Sequence, residues 1–199
     1  MKLIYRFVTI LFLSCAVVAC GGSKGTTKQD KKEVKVDKCV KEAQKKPEIR
    51  AWGHGAGFTI SEAINVATLD ARGKMANSIS STIEVAIRQA SELISKGTRA
   101  SGIGASNLQD RQAEQAQSFT SYAKETVNNT IEIDNTLFEL EDGTYECYVC
   151  VEYRDGVEKL TEGITNKVFE LMSEEEKAIV KQNLEEFRQS VRESLGKNK

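Results

Sequence analysis

Apolar residues recur at steps of three and four over residues 61–94: Ile64, Ala67, Ala71, Met75, Ile79, Ile83, Ala86, Ala90 and Leu93. That spacing lines them along one face of a single helix, with Arg72, Lys74, Glu84, Arg88 and Glu92 largely off it. Thr59 and Glu62 match a capping box that would start the helix. Straight, it would run about 50 Å, whereas a compact core of roughly 130 residues is about 35–40 Å across. The helix is therefore expected to bend, with Gly73 the weak point, or to protrude.

Around this helix the period changes. Residues 49–58 read as a strand, preceded by Pro47 and a short helical segment at 37–44. Residues 130–140 and 145–154 read as two strands joined by Glu141-Asp142-Gly143-Thr144, where Asp-Gly is a strong hairpin signal. Glycines and serines make 96–107 a loop, and 108–127 reads as a weakly amphipathic helix. After Asp155-Gly156 come a helix over 157–172 and a charged one over 173–195, capped by Ser173 and Glu176. The last helix is amphipathic and suits either its own domain or a partner helix. This order predicts an α+β fold.

The first strand alternates in an unusual way. Gly53, Gly55 and Gly57 share one face, and Trp52, His54, Ala56 and Phe58 share the other. A bare strand face marks close backbone approach, and Ala63, Ala67 and Ala71 of the following helix are the natural partner. The dinucleotide fingerprint fails because the sixth position from Gly53 is Phe58, and no Gly-Lys-Ser/Thr follows. An anion on the backbone amides near Ser61 is the lesser alternative.

Ahead of the fold stand Lys2, Arg6 and an apolar run of about 14 residues, short of the roughly 20 that span a bilayer. It ends in Val17-Val18-Ala19-Cys20, followed by Gly21-Gly22. These residues resemble a bacterial lipoprotein signal. The resemblance implies diacylglyceryl attachment to the Cys20 thiol, cleavage before it, and acylation of the new amine. Each buried CH₂ adds about 0.8 kcal/mol of membrane attachment, so two or three acyl chains anchor firmly. The expected organisation is a signal peptide at 1–19, a lipidated polar tether at 20–36, an α+β core at 37–156 and a helical extension at 157–199. The expected location is the outer membrane, anchored by lipid and facing the periplasm, with surface display the alternative.

The strand at Ala51, Gly53 and Gly55, followed by Ala63, Ala67, Ala71, Arg72 and Ala76, resembles the LPP-twenty family of bacterial lipoproteins. It is also similar to the N-terminal domain of the flagellar assembly protein FlgT. Met75 stands where leucine is usual, and the hairpin YECYVCVEY falls where that family has paired strands. The resemblance covers about residues 49–154. It implies a dodecin-like β-α-β-β core, three strands curled around one helix, with no catalytic residues to carry over.

Composition adds little chemistry. The 199 residues are 40% hydrophobic and carry a formal net charge of -1, which gives no basis for a nucleic-acid partner. Beyond the signal, Cys39, Cys147 and Cys150 remain. Cys147 is expected to face inward and Cys150 outward, since residues three apart on a strand oppose each other. Unpaired strand cysteines are the first reading, a disulfide from Cys39 to Cys147 or Cys150 the chief alternative, and a redox or metal role for Cys147-x-x-Cys150 the last. His54 is the only histidine, and no G-x-S-x-G elbow accompanies it. No metal or cofactor is expected. The leading expectation is a non-enzymatic envelope protein acting through protein contacts, with a homo-oligomer as one form. The alternative is a small-ligand-binding, dodecin-like oligomer. Trp52, His54 and Phe58 are the candidate contacts for partner or ligand. A hydrolase using His54 stands third.

Overall fold

The computed structural model describes residues 38–101 and 108–197; the signal peptide, Cys20, the tether and residues 102–107 of the expected loop lie outside the described residues. Along the chain run α1 (Lys38–Lys45), β1 (Arg50–Gly57), α2 (Ile60–Ser101), α3 (Leu108–Glu114) and α4 (Ala116–Asn128). They are followed by β2 (Thr130–Glu139), β3 (Tyr145–Tyr153), α5 (Gly156–Phe169), α6 (Glu174–Lys181) and α7 (Leu184–Lys197). The three strands form one antiparallel sheet in the order β1-β3-β2, with β3 central. The fold is α+β.

The glycine face of β1 lies on α2, as its pattern predicts. A Cβ added at Gly53 would stand 2.0 Å from the Ala67 carbonyl oxygen and 2.3 Å from the Ala71 nitrogen. One at Gly55 would stand 2.3 Å from the Ala67 nitrogen. Only glycine fits beneath this helix. The Thr59 hydroxyl accepts the Glu62 amide at 3.2 Å, but the Glu62 carboxylate reaches past Thr59 to the Phe58 amide at 2.9 Å. It thereby ties the end of β1 to the start of the helix.

The helix is longer than its pattern suggests: 42 residues, unbroken through Gly73, or about 63 Å at 1.5 Å per residue. The helix stays continuous through Gly73, and its far half, up to Ile94, is enclosed rather than protruding. Ile79, Ile83, Ile87 and Ile94 are fully or almost fully buried, in one core with Leu160, Ile164, Val168, Val180, Phe187, Val191 and Leu195. Residues after the sheet thus wrap the far half of α2. The last stretch, expected as one helix, breaks at 182–183, and its apolar face packs on its own domain. Its predicted capping box is present: Ser173 Oγ accepts the Glu176 amide at 3.3 Å, and the Glu176 carboxylate accepts the Ser173 amide at 2.8 Å. The 108–127 segment likewise divides into α3 and α4 around Gln115. Gly143 turns the hairpin with φ of 80°, in the left-handed region that favours glycine.

Candidate interaction surface

Register decides what the outer face of the sheet carries. Trp52 pairs with Cys150 and His54 with Tyr148 across β1 and β3, while Thr136 pairs with Tyr148 and Phe138 with Glu146 across β3 and β2. Directly paired residues point to the same side. Tyr148 therefore becomes the hub of an aromatic row. Its ring lies 6.2 Å from Trp52 in a stacked arrangement, 4.8 Å from His54, and 6.1 Å edge-on from Phe138.

One end of this face is covered. α1 lays Cys39 and Ala43 over Cys150, with Trp52, Ile133 and Tyr148 packed around them. Arg50 clamps that end: its Nε donates to Glu152 at 2.7 Å, and its NH1 donates to the Glu42 carbonyl at 3.0 Å and carboxylate at 3.2 Å. Lys38 pairs with Asp134 at 3.0 Å, fixing α1 to β2. Cys150 does point outward, as its parity requires, yet it is fully buried because α1 covers it. Burial pushes its thiol pKa up to about 11. Cys147 is buried on the inner face, and Cys39 donates to the Tyr148 carbonyl at 3.3 Å. Cys39, Cys147 and Cys150 are thus all fully buried.

Trp52 and His54 are both half-buried. Lys74 Nζ stands 4.0 Å over the Trp52 ring and 2.7 Å from Asp70, whose carboxylate accepts the His54 amide at 3.0 Å. α2 thus satisfies the outward amide of the edge strand β1. Burial raises the Asp70 pKa, but the Lys74 and His54 hydrogen bonds outweigh it and hold the carboxyl below its ordinary value. Beside Trp52 a cleft of about 380 Å³ opens between α1 and α2, lined by Ala43, Pro47, Ala51, Trp52, Lys74 and Asn77 among others. His54 Nε2 stands 3.8 Å from Glu146 Oε2, beyond hydrogen-bond distance.

The third expected contact, Phe58, lies past the end of β1 and is 80% exposed, apart from the aromatic row. Among the described residues, the large apolar side chains left exposed are Phe58, Ile60, Val66, Leu69, Ile131, Leu137, Phe138 and Leu140. All of them belong to the sheet, its hairpin, the β1–α2 turn or the first turns of α2; none belongs to α3–α7. The pattern of single strands did not reveal Tyr148, Phe138, Asp70 or Lys74 as neighbours of this face. Tyr148 shares parity with Cys150, which was the one available signal.

No helix among the described residues is long and apolar enough to cross a membrane, and no group of His, Cys, Asp or Glu there could hold a metal ion. No protein-family model matches the chain, and neither a curated protein nor a solved structure matches it.

Proposed function

We propose that this is a lipid-anchored bacterial cell-envelope protein without enzymatic activity, of the LPP-twenty type. It acts through protein contacts in assembly or maintenance of the outer membrane or periplasm. The observation that carries the protein-contact reading is the segregation of exposed apolar side chains. Leu137, Phe138 and Leu140 of β2 and its hairpin, Phe58 of the β1–α2 turn and Leu69 of α2 are exposed, while among the described residues α3–α7 leave no large apolar side chain exposed. Scattered exposed apolar residues are ordinary, but a concentration on one part of a domain marks a contact surface. The anchor rests on Val17-Val18-Ala19-Cys20 and the polar stretch after it.

The order β1-α2-(α3-α4)-β2-β3, with a glycine-faced strand against one long helix, supports a dodecin-like core within this reading. A small-ligand-binding oligomer is the second reading, and the apolar cleft beside Trp52 favours it.

Two experiments test these statements. In cells, Cys20→Ala should abolish incorporation of labelled palmitate and release the protein from the membrane fraction; label retained on the variant would refute the anchor. Photo-crosslinking residues placed at Phe58, Leu69 and Phe138 of the anchored chain should give discrete protein adducts, whereas one at Glu185 on α7 should give none. Adducts confined to Glu185, or absent throughout, would remove the protein-contact reading. Trp52 is the only tryptophan, so its fluorescence reports on the cleft directly and would shift with a bound small ligand.

A further inference from the structure

Register fixes which backbone groups of β1 face outward. The Tyr153 amide donates to the Ile49 carbonyl at 2.8 Å, which makes those two residues a hydrogen-bonded pair. Bonded and non-bonded pairs alternate along an antiparallel ladder. With Ala51 opposite Val151 and Trp52 opposite Cys150, the even-numbered residues of β1 turn their amides and carbonyls away from β3. Most of these donors are answered nearby. The Arg50 amide donates to the Lys46 carbonyl at 2.9 Å, and the His54 amide to Asp70 at 3.0 Å. Ala56 is exposed to water. Trp52 is the gap: it is half-buried, and among the described residues nothing takes its outward amide or carbonyl.

The gap opens into the cleft of about 380 Å³ between α1 and α2. Small-molecule pockets run from about 300 to 1,000 Å³, so the space suits such a ligand. Ala43, Pro47, Ala51 and the Trp52 indole make much of the lining apolar. The two cations in it are already answered, Arg50 by Glu42 and Glu152 and Lys74 by Asp70, and no carboxylate lines it. A charged ligand would lose its hydration without gaining an unpaired opposite charge, which favours a neutral one. An extended peptide fits poorly. A strand added to an edge uses successive outward groups, and the amides of Arg50 and His54 on either side are taken. A single trans amide fits no better, because its N–H and C=O point opposite ways. A cis amide held in a ring presents both groups on one side, where Trp52 offers one donor and one acceptor.

We propose that the cleft beside Trp52 binds a neutral cyclic amide, a lactam or cyclic dipeptide. The Trp52 amide donates to its carbonyl, the Trp52 carbonyl accepts its N–H, and its aliphatic body lies against Ala43, Pro47 and the indole. This rests on the small-ligand reading but needs no oligomer, since every group named belongs to one chain. It leaves the protein-contact reading as it stands.

The test uses the full lipidated chain in phosphatidylethanolamine nanodiscs. The probe is cyclo(Leu-Pro), which carries one secondary cis amide, compared with the same compound N-methylated at leucine. Emission of Trp52, the only tryptophan, reads occupancy of the cleft, and hydrogen–deuterium exchange resolved to single amides reads the Trp52 backbone. The expected result is a saturable emission shift at one ligand per chain, with exchange of the Trp52 amide slowed at least about tenfold. The N-methylated compound should bind at least about tenfold more weakly, because it leaves the Trp52 carbonyl without its donor. Equal binding of the two compounds would mean that the cleft reads apolar shape alone, and would overturn the proposal. So would an emission shift that leaves the Trp52 amide unprotected, or binding that requires two chains per ligand. If cyclo(Leu-Pro) does not bind while native mass spectrometry of the chain shows another co-purified small molecule, the cyclic-amide proposal falls and the small-ligand reading stands. If neither is seen, both fall.

Discussion

From Ile60 to about Met75, α2 presents Ala63, Ala67 and Ala71 to a strand with glycines at the matching positions; from Ile79 to Ile94 it presents isoleucines to a layer of helices. The first half removes side chains until two backbones touch. The second half fills a wide space with large side chains, each contributing about 1.5–3 kcal/mol when fully buried. One helix therefore carries two kinds of interface, and they differ in what they tolerate. The glycine interface admits no additional atom, because what an added atom meets is backbone. The isoleucine interface suffers chiefly from loss of volume, because its neighbours are side chains that can move a little.

The largest effect should come from filling the first interface. Gly55→Val forces a Cβ to within 2.3 Å of the Ala67 nitrogen and 2.6 Å of the Ala63 carbonyl oxygen, and neither can move without shifting α2. We expect a loss of more than about 3 kcal/mol, at or beyond the usual range for overpacking, read as a collapse of the urea midpoint. A variant of near-normal stability would mean that β1 and α2 are not in backbone contact. Emptying the second interface should cost slightly less. Ile83→Ala leaves a cavity in a site 1% exposed, with an expected cost of about 2–4 kcal/mol in the same titration. Here a loss below about 1 kcal/mol would show that the helical layer collapses readily onto α2.

The two halves were not equally legible. Gly53, Gly55 and Gly57, matched with Ala63, Ala67 and Ala71, announced close packing because alternation and helical period are local signals, and the structure places these residues together. The full length of α2 was not legible. Residues 96–101 carry glycine and serine, which argue locally for a loop, yet Thr98 and Ile94 are buried in the folded domain and tertiary packing prevails. Cys150 shows the same limit. Its outward direction followed from strand parity, but its burial depends on α1, an eight-residue helix about a hundred residues earlier in the chain. The aromatic row likewise required the pairing of His54 with Tyr148, which no single strand encodes.

A smaller effect sits at the seam between helix and strand. Asp70 accepts the His54 amide at 3.0 Å and pairs with Lys74 at 2.7 Å, and its carboxyl is held below its ordinary pKa. Because the folded pKa is depressed, the stabilisation is fully present above the unfolded value of about 3.9 and is lost as pH falls through the lower folded value. Asp70→Asn keeps an acceptor for the amide and removes the charge. The carboxylate is 38% exposed, so solvent screening limits the expected loss at pH 7 to about 1 kcal/mol or less. Paired denaturant titrations should show a gap between wild type and variant that is constant from neutral pH to about pH 5 and closes below about pH 4. A gap that persists in acid would assign the effect to shape rather than charge.

The last variant reverses the sign. Gly73 lies where the alanine half of α2 gives way to the isoleucine half, and a Cβ there would meet nothing within 4 Å. It is exposed, lies inside the helix and is not among the residues with positive φ. Unlike Gly55, it has no close approach to protect, so it contributes only the entropic cost of glycine in a helix. Gly73→Ala should therefore raise the urea midpoint, with a gain of about 0.5–1 kcal/mol and an unchanged denaturant slope. The same chemical change, glycine to a larger residue, would then be destabilising in β1 beneath α2 and stabilising eighteen residues later on α2 itself. Were Gly73→Ala to destabilise the chain, the helix would need a backbone freedom at this point that continuous α-helical geometry does not require, and the seam between its halves would be a hinge rather than a rigid join.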